Sequence, residues 1–366
     1  MYCARNGSPG INTVSAKSPG AAFICLVAMD YSFLLRPETI PRTLTDYQRH
    51  LHAFHGNLAL VCAALGLSAC SPPANESVAP SAPRAELVVA GQLQSSELVE
   101  ASGLARSQRN PDLLWSMNDG GSKARIYAFD GAGFHRGRIK LDDIKNRDWE
   151  DLSSFTVDGT PYLLVADTGD NDAKRDEASL HIVLEPDLAD DGKIKLDPAW
   201  SIDFRYPDGP RDVEAVVADP ASERIFLLSK REWPPVLYEV PLYPASDGTI
   251  VAKHVGPIES LPPPTRQDRE QAVFTKEWHW QPTGMDVSPD GRLAVILTYR
   301  GVYLYHLDPG RSLYESLSGQ AYRFGLGNFR NAESITFSAD SKSIFVTLEG
   351  RHAPLLRIDI NGALPE

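Results

Sequence analysis

From Ala85 to Ile360 the chain alternates short apolar runs with polar turns, and five segments repeat one plan. A polar or acidic lead enters a strand, a turn follows, and a second, strongly apolar strand ends in a polar loop before a third strand. The leads are Glu100-Ala101-Ser102-Gly103-Leu104, Asp148-Trp149-Glu150-Asp151-Leu152, Asp212-Val213-Glu214-Ala215-Val216, Gln281-Pro282-Thr283-Gly284-Met285 and Asn331-Ala332-Glu333-Ser334-Ile335. The second strands are Leu113–Ser116, Tyr162–Ala166, Ile225–Ser229, Leu293–Leu297 and Ile344–Thr347. Their apolar residues run almost without interruption, which predicts burial on both faces. Turn residues stand between first and second strands, as in Val157-Asp158-Gly159, Ser288-Pro289-Asp290-Gly291 and Ser338-Ala339-Asp340-Ser341. No amphipathic helical run of useful length interrupts the pattern. It predicts an all-β fold, a single β-propeller in which each blade packs both faces against neighbours. Aligned on Ser102, Glu150, Glu214, Thr283 and Glu333, the repeats are spaced by 48, 64, 69 and 50 residues. The expectation is five blades, or six if a degenerate blade lacks the pattern. The two long spacings absorb loops at Asp187–Asp197 and Pro262–Trp278. The last repeat ends at Ile360 with three strands, so Glu86-Leu87-Val88-Val89-Ala90 is expected to supply the fourth and close the ring.

Ahead of the repeats lies a different pattern. The apolar run from Asn57 to Gly66 leads into Leu67-Ser68-Ala69-Cys70 and then a stretch rich in Pro, Ala and Ser. The run is too short to span a bilayer, which takes about 20 residues, but it suits the h-region of an export signal. The quartet resembles a bacterial lipobox, with Cys70 as the lipidated first residue of the mature chain. The expected organisation is an over-called start or disordered extension at 1–56, signal and lipobox at 57–70, a flexible tether at 71–84 and the propeller at 85–366. All four cysteines (Cys3, Cys25, Cys62, Cys70) lie at or before the proposed cleavage point. The domain therefore has no thiolate nucleophile and no cysteine-ligated metal.

Charge narrows the partners. Residues 1–70 carry five basic and three acidic groups, so the remainder holds −14 against −12 for the whole chain. So acidic a domain repels nucleic-acid phosphates and anionic headgroups. It favours a cation, a small molecule or an envelope protein as ligand. Membrane attachment is expected through the lipid alone, and the resemblance to bacterial lipoproteins implies the outer membrane, since Ser71 and not Asp follows Cys70.

Several motifs together look familiar: Asp148-Trp149-Glu150-Asp151, Gly169-Asp170-Asn171 with Arg175, Pro282-Thr283-Gly284 leading to Ser288-Pro289-Asp290-Gly291, and Ala332-Glu333-Ser334-Ile335. Over residues 95–360 the chain resembles a family of exported bacterial β-propellers near the NHL-repeat, TolB-like and calcium-dependent phosphotriesterase propellers. The resemblance implies the fold and export; it brings no activity with it.

Hairpin geometry locates the chemistry. The start of a blade's first strand lies beside the end of its antiparallel second strand, so leads and post-second-strand loops share one face. That face is expected to carry Ser102, Asn118, Asp119, Glu150, Asp170, Asn171, Glu214, Lys230, Arg231, Thr283, Arg300 and Glu333 as a ligand-binding surface, with Asp167, Asp172, Tyr299 and Glu349 in the same loops. Two readings are open for Glu150, Glu214 and Glu333. They hold a divalent cation, Ca2+ by the hardness of the donors, or they line a solvated channel with Lys230, Arg231 and Arg300 as counter-charges. Asp167–Asp172 departs from a calcium loop of EF-hand type, with Asp172 at the sixth position and Ala178 at the twelfth. A turn rich in Asp and Asn accounts for it without a metal. No G-x-S-x-G elbow occurs, and His135, His181, His254, His279, His306 and His352 are scattered singly. Trp278-His279-Trp280 either walls a pocket or anchors a loop on the next blade. With no complete catalytic set in view, the leading expectation is a lipid-anchored binding module. The alternative is a Ca2+-dependent hydrolase of phosphoesters or lactones.

Overall fold

The second strands show why this chain makes blades. In the computed structural model, which describes residues 85–188, 192–245, 248–263, 266, 270, 280–299 and 301–360, alternate residues of each central strand enter different cores. Leu164 and Ala166 pack into one cluster while Leu163 and Val165 pack into another. Ile225 and Leu227 divide from Phe226 and Leu228 in the same way, as do Val295 and Leu297 from Ala294 and Ile296. Successive side chains on a strand point to opposite faces, so a strand sandwiched between two neighbours must be apolar at every position. Among the described residues five apolar clusters form, one in each gap between blades.

Strand β1 (Glu86–Gln92) comes first in the chain and belongs to the last blade. The first blade is β2 (Ala101–Arg106), β3 (Leu113–Asn118), β4 (Arg125–Asp130) and β5 (His135–Leu141). The second holds β6 (Trp149–Val157), β7 (Thr160–Asp167) and β8 (Ala178–Leu184), after which β9 (Lys193–Leu196) turns back to pair in parallel with β5. Strand β10 (Trp200–Arg205) then resumes the second blade. The third contains β11 (Val213–Asp219), β12 (Arg224–Ser229), β13 (Val236–Pro241) and β15 (Lys253–Pro257), with β14 (Ile250–Val251) reaching back in parallel to β10. The fourth runs β16 (Pro282–Val287), β17 (Leu293–Thr298), β18 (Gly301–His306), helix α1 (Leu313–Leu317) and β19 (Tyr322–Gly325). The fifth is β20 (Ala332–Phe337), β21 (Ser343–Leu348) and β22 (Pro354–Asp359), completed by β1, which pairs with β22 from Glu86↔Asp359 to Gln92↔Pro354. Innermost strands β2, β6, β11, β16 and β20 pack in sequence, and β20 packs against β2.

The fold is thus an all-β propeller of five blades, and no sixth, degenerate blade is present among the described residues. Two details differ from the sequence expectation. The segment Asp187–Asp197 is not only a loop, because β9 in it adds a fifth strand to the preceding blade; its apolar Ile194 and Leu196 cover the outer edge of β5. A helical turn also appears at α1, capped by Ser312, whose side chain accepts from Glu315 N while Glu315 accepts from Ser312 N. Cys70 with its signal run, the tether, Trp278, His279 and Arg300 lie outside the described residues.

Candidate functional site

Every innermost strand carries a bulge at the same register. The pairing slips between Ser102 and Leu104, Trp149 and Asp151, Val213 and Ala215, Pro282 and Gly284, and Ala332 and Ser334. In four blades the residue left over is the aligned one, namely Glu150, Glu214, Thr283 or Glu333. In the first blade Ser102 keeps its partner and Gly103, at φ +73°, is the extra residue. A bulge frees a side chain from the ladder and re-aims it. Here the re-aimed carboxylates face a cavity of about 400 Å³ at the mouth of the channel.

The loops after the second strands complete that cavity with Asp119, Asn171, Asp172, Lys230, Arg231, Tyr299 and Glu349 beside Ser102, Glu150, Glu214 and Glu333. Farther along the innermost strands an ion pair crosses the ring. Arg106 of the first blade donates to Asp286 of the fourth at 2.8 Å, across the axis, and Asp286 also accepts from Thr336 Oγ1 and Phe337 N, each at 2.9 Å. The acidic cavity forms a cup on the lead side of the ring. A larger cavity of about 790 Å³ lies by the β2–β3 turn, on the opposite face. Four of its charged residues are paired, Arg109 with Asp187 and Arg136 with Asp130, and among the described residues its carboxylates form no group of the kind seen in the acidic cavity.

Some of the expected residues serve the scaffold instead. Ser102 Oγ donates to Glu150 O at 2.5 Å and Thr283 Oγ1 to Ala332 O at 2.7 Å, each tying its blade to the next. The Asn118 carboxamide accepts from Val99 N and Glu100 N and donates to Glu97 O, holding the approach to β2. Asp170 accepts from Lys174 N and Arg175 N at 2.8 and 2.7 Å, so the Asp-rich turn satisfies itself. Arg175 pins the same loop through Asp167 at 2.7 Å and Gly169 O at 2.8 Å. Trp280, at the end of the Trp-His-Trp run, is buried edge-to-face against Trp233.

Carboxylates in and beside the cup form two groups sharing Glu150. Oxygens of Asp119, Asp148 and Glu150 lie within 4.8 Å of one another, as do those of Glu150, Asp212 and Glu214. Glu333, which the repeat alignment joins to Glu150 and Glu214, belongs to neither group. Asp148 and Asp212 escaped the alignment because it followed one position per repeat. Each stands two residues before an aligned glutamate, in Asp148-Trp149-Glu150 and Asp212-Val213-Glu214. The repeated D-x-E was the available signal, since the same two acids recur at the same spacing in two leads.

Burial dominates the electrostatics. It pushes Glu150 and Glu333 well above the usual carboxyl range, and Glu214 adds to both. Glu214 is pushed up to about 7, burial and Asp212 outweighing Lys230. Asp148 rises to about 6 through burial and the charges of Asp119 and Asp212. Burial opposes the Lys230 cation, yet Glu214, Tyr299, Glu333 and Glu150 together hold its ammonium well above the ordinary value. Lys230 bonds Glu214 Oε1 and sits 5.1 Å from the Tyr299 ring centroid. Glu214 Oε2 is buried with no hydrogen-bond partner among the described residues.

Compared with protein-family models and with curated proteins, the chain matches none. A propeller with a one-sided polar cup is consistent with a binding module.

Proposed function

We propose that this protein is an exported, lipid-anchored β-propeller that binds its ligand in the acidic cup, with a divalent cation such as Ca2+ bound there. The observation that carries this reading is the convergence of buried, like-charged carboxylates from several blades on one cavity, where a cation offsets their repulsion. A flexible tether starting at a lipidated Cys70 would leave the cup free to meet a small molecule or an envelope protein. Ca2+ added to metal-free full-length protein in detergent raises the melting temperature, as a ligand selective for the native state must, and EDTA reverses it. A melting curve indifferent to Ca2+, Mg2+, Mn2+ and EDTA contradicts the reading. Anchoring is tested separately: Cys70→Ala releases the protein from the membrane fraction, and an unchanged detergent partition rules the lipid out.

A second reading rests on Asp148 and Glu214, whose carboxyls are pushed up to about 6 and about 7, the range in which a carboxyl exchanges protons at neutral pH. It makes the cup a cation-dependent hydrolase of phosphoesters or lactones. Turnover of a generic phosphodiester or lactone, lost on EDTA treatment, selects it over simple binding.

A further inference from the structure

The two carboxylate groups of the cup differ in what already neutralises them. In the group of Glu150, Asp212 and Glu214, Glu214 is paired with the Lys230 ammonium and Asp212 with Arg231 at 2.6 Å. Asp212 also accepts from Asp170 N at 2.9 Å. The Lys230 ammonium is thus a tethered cation already seated on that side.

The group of Asp119, Asp148 and Glu150 has no such partner. Among the described residues neither the Asp148 nor the Glu150 carboxylate forms a hydrogen bond or ion pair, and the Asp119 carboxylate accepts only from its neighbour Gly120 N. Glu150 is nevertheless only 5% exposed and lines the cup. A buried carboxyl group without a hydrogen-bond or ion-pair partner is costly, and a cation bound to its oxygens would supply one.

Two glycines flank the same carboxylates. A Cβ at Gly120 would overlap Asp148 Oδ1, and one at Gly169 would overlap Glu150 Oε1 and come within 2.6 Å of Asp148 Oδ2. Neither residue adopts a positive φ, so the backbone there does not call for glycine. What calls for it is the space the carboxylates occupy. Asn146 fixes the frame by donating to Asn118 O and Asp119 O at 3.0 and 2.9 Å while accepting from Trp149 N. This ties the loop bearing Asp119 to the lead bearing Asp148 and Glu150.

We propose that Asp119, Asp148 and Glu150 hold a Ca2+-like cation at the junction of the first and second blades, off the channel axis, instead of Glu150, Glu214 and Glu333 on it. The inference rests on the reading of the cup as a cation-binding site and names the ligands. The oxygen separations, all within 4.8 Å, match a cation whose bonds to oxygen are about 2.3–2.6 Å. The open side of the cup leaves the remaining positions to water or to a ligand's own oxygens.

Calcium titration by calorimetry on the full-length chain in detergent tests this, with circular dichroism and melting in EDTA verifying that each variant folds. Asp148→Asn removes a ligand, and Gly169→Ala displaces the carboxylates without removing a charge. Each weakens Ca2+ binding by about tenfold or more, while Glu333→Gln changes it by less than threefold. If Glu333→Gln abolishes binding and Asp148→Asn retains it, the cation sits on the axis and this assignment is wrong, with the cation-binding cup intact. If the wild-type chain binds no Ca2+, both readings fall together.

Discussion

Asp148 stands half-buried among Asp119, Asp212 and Asp167, and burial together with those charges outweighs Arg175 to push its carboxyl up to about 6. In an unfolded chain the same group titrates near about 3.9. Between those values the native state binds the extra proton, so this residue costs the metal-free protein stability as pH rises from about 4 to about 6. Asp148→Asn removes that cost. In EDTA the variant and the wild type melt together at about pH 4 or below, and the variant melts higher above about pH 6. A gain of the same size at every pH would contradict the account. The Lys230–Glu214 pair, with side chains 5% and 6% exposed, responds differently. Lys230→Met strands a buried carboxylate and costs about 3–5 kcal/mol, whereas Lys230→Met with Glu214→Leu recovers most of the loss in urea melts. Gly103 is a glycine that the backbone itself demands, at φ +73° with its would-be Cβ 2.6 Å from Leu152 N; Gly103→Ala costs about 2–3 kcal/mol. At this scale the repeat register of Glu150, Glu214 and Glu333 was legible in the sequence. The turning of the Ser102 and Thr283 hydroxyls onto neighbouring carbonyls was not, since spacing carries no rotamer.

Strands set the positions of those residues through two devices. One is the bulge repeated on all five innermost strands. The other is a polar side chain bridging to the next innermost strand: Asp151 accepts from Val216 N at 2.7 Å, Asp286 from Phe337 N at 2.9 Å and Thr336 from Arg106 N at 3.1 Å. Blades diverge from the axis, and these side chains fill the gap that direct pairing cannot. At the rim, β1 covers the backbone of β22, whose Leu356 and Ile358 belong to the core between the fourth and fifth blades. Deleting Glu86–Gln92 exposes that edge. The shortened chain melts at a markedly lower temperature and self-associates in size-exclusion chromatography; a monomer of unchanged melting temperature would show that β1 is dispensable. The apolar second strands and their turns were readable from pattern alone. The parallel additions β9 and β14 were not, because each is a few residues long and is recognised as a strand only by the edge it meets.

Across the whole molecule, stability resides in five separate inter-blade cores, so no blade is stable without its neighbours. A chain beginning at Ala85 contains every described strand. It unfolds in one cooperative transition with a β-rich circular dichroism spectrum, and stepwise melting would indicate that the cores are independent. The Arg106–Asp286 bridge ties the first blade to the fourth across the ring.

While the structure decided between five blades and six, the amino-acid sequence by itself determined the all-β class, the repeat and the face on which polar groups gather. Each follows from local pattern: continuous apolar runs need two buried faces, and antiparallel hairpins bring leads and loops to one end. Only the tertiary structure decided how the carboxylates are grouped. Ring geometry places Asp148 of one lead near Asp119 of the preceding blade's loop, while within the third blade the β11–β12 hairpin sets Glu214 and Asp212 against Lys230 and Arg231. The grouping of Asp119 with Asp148 and Glu150 joins two blades, and no spacing along the sequence encodes its distances of a few ångströms.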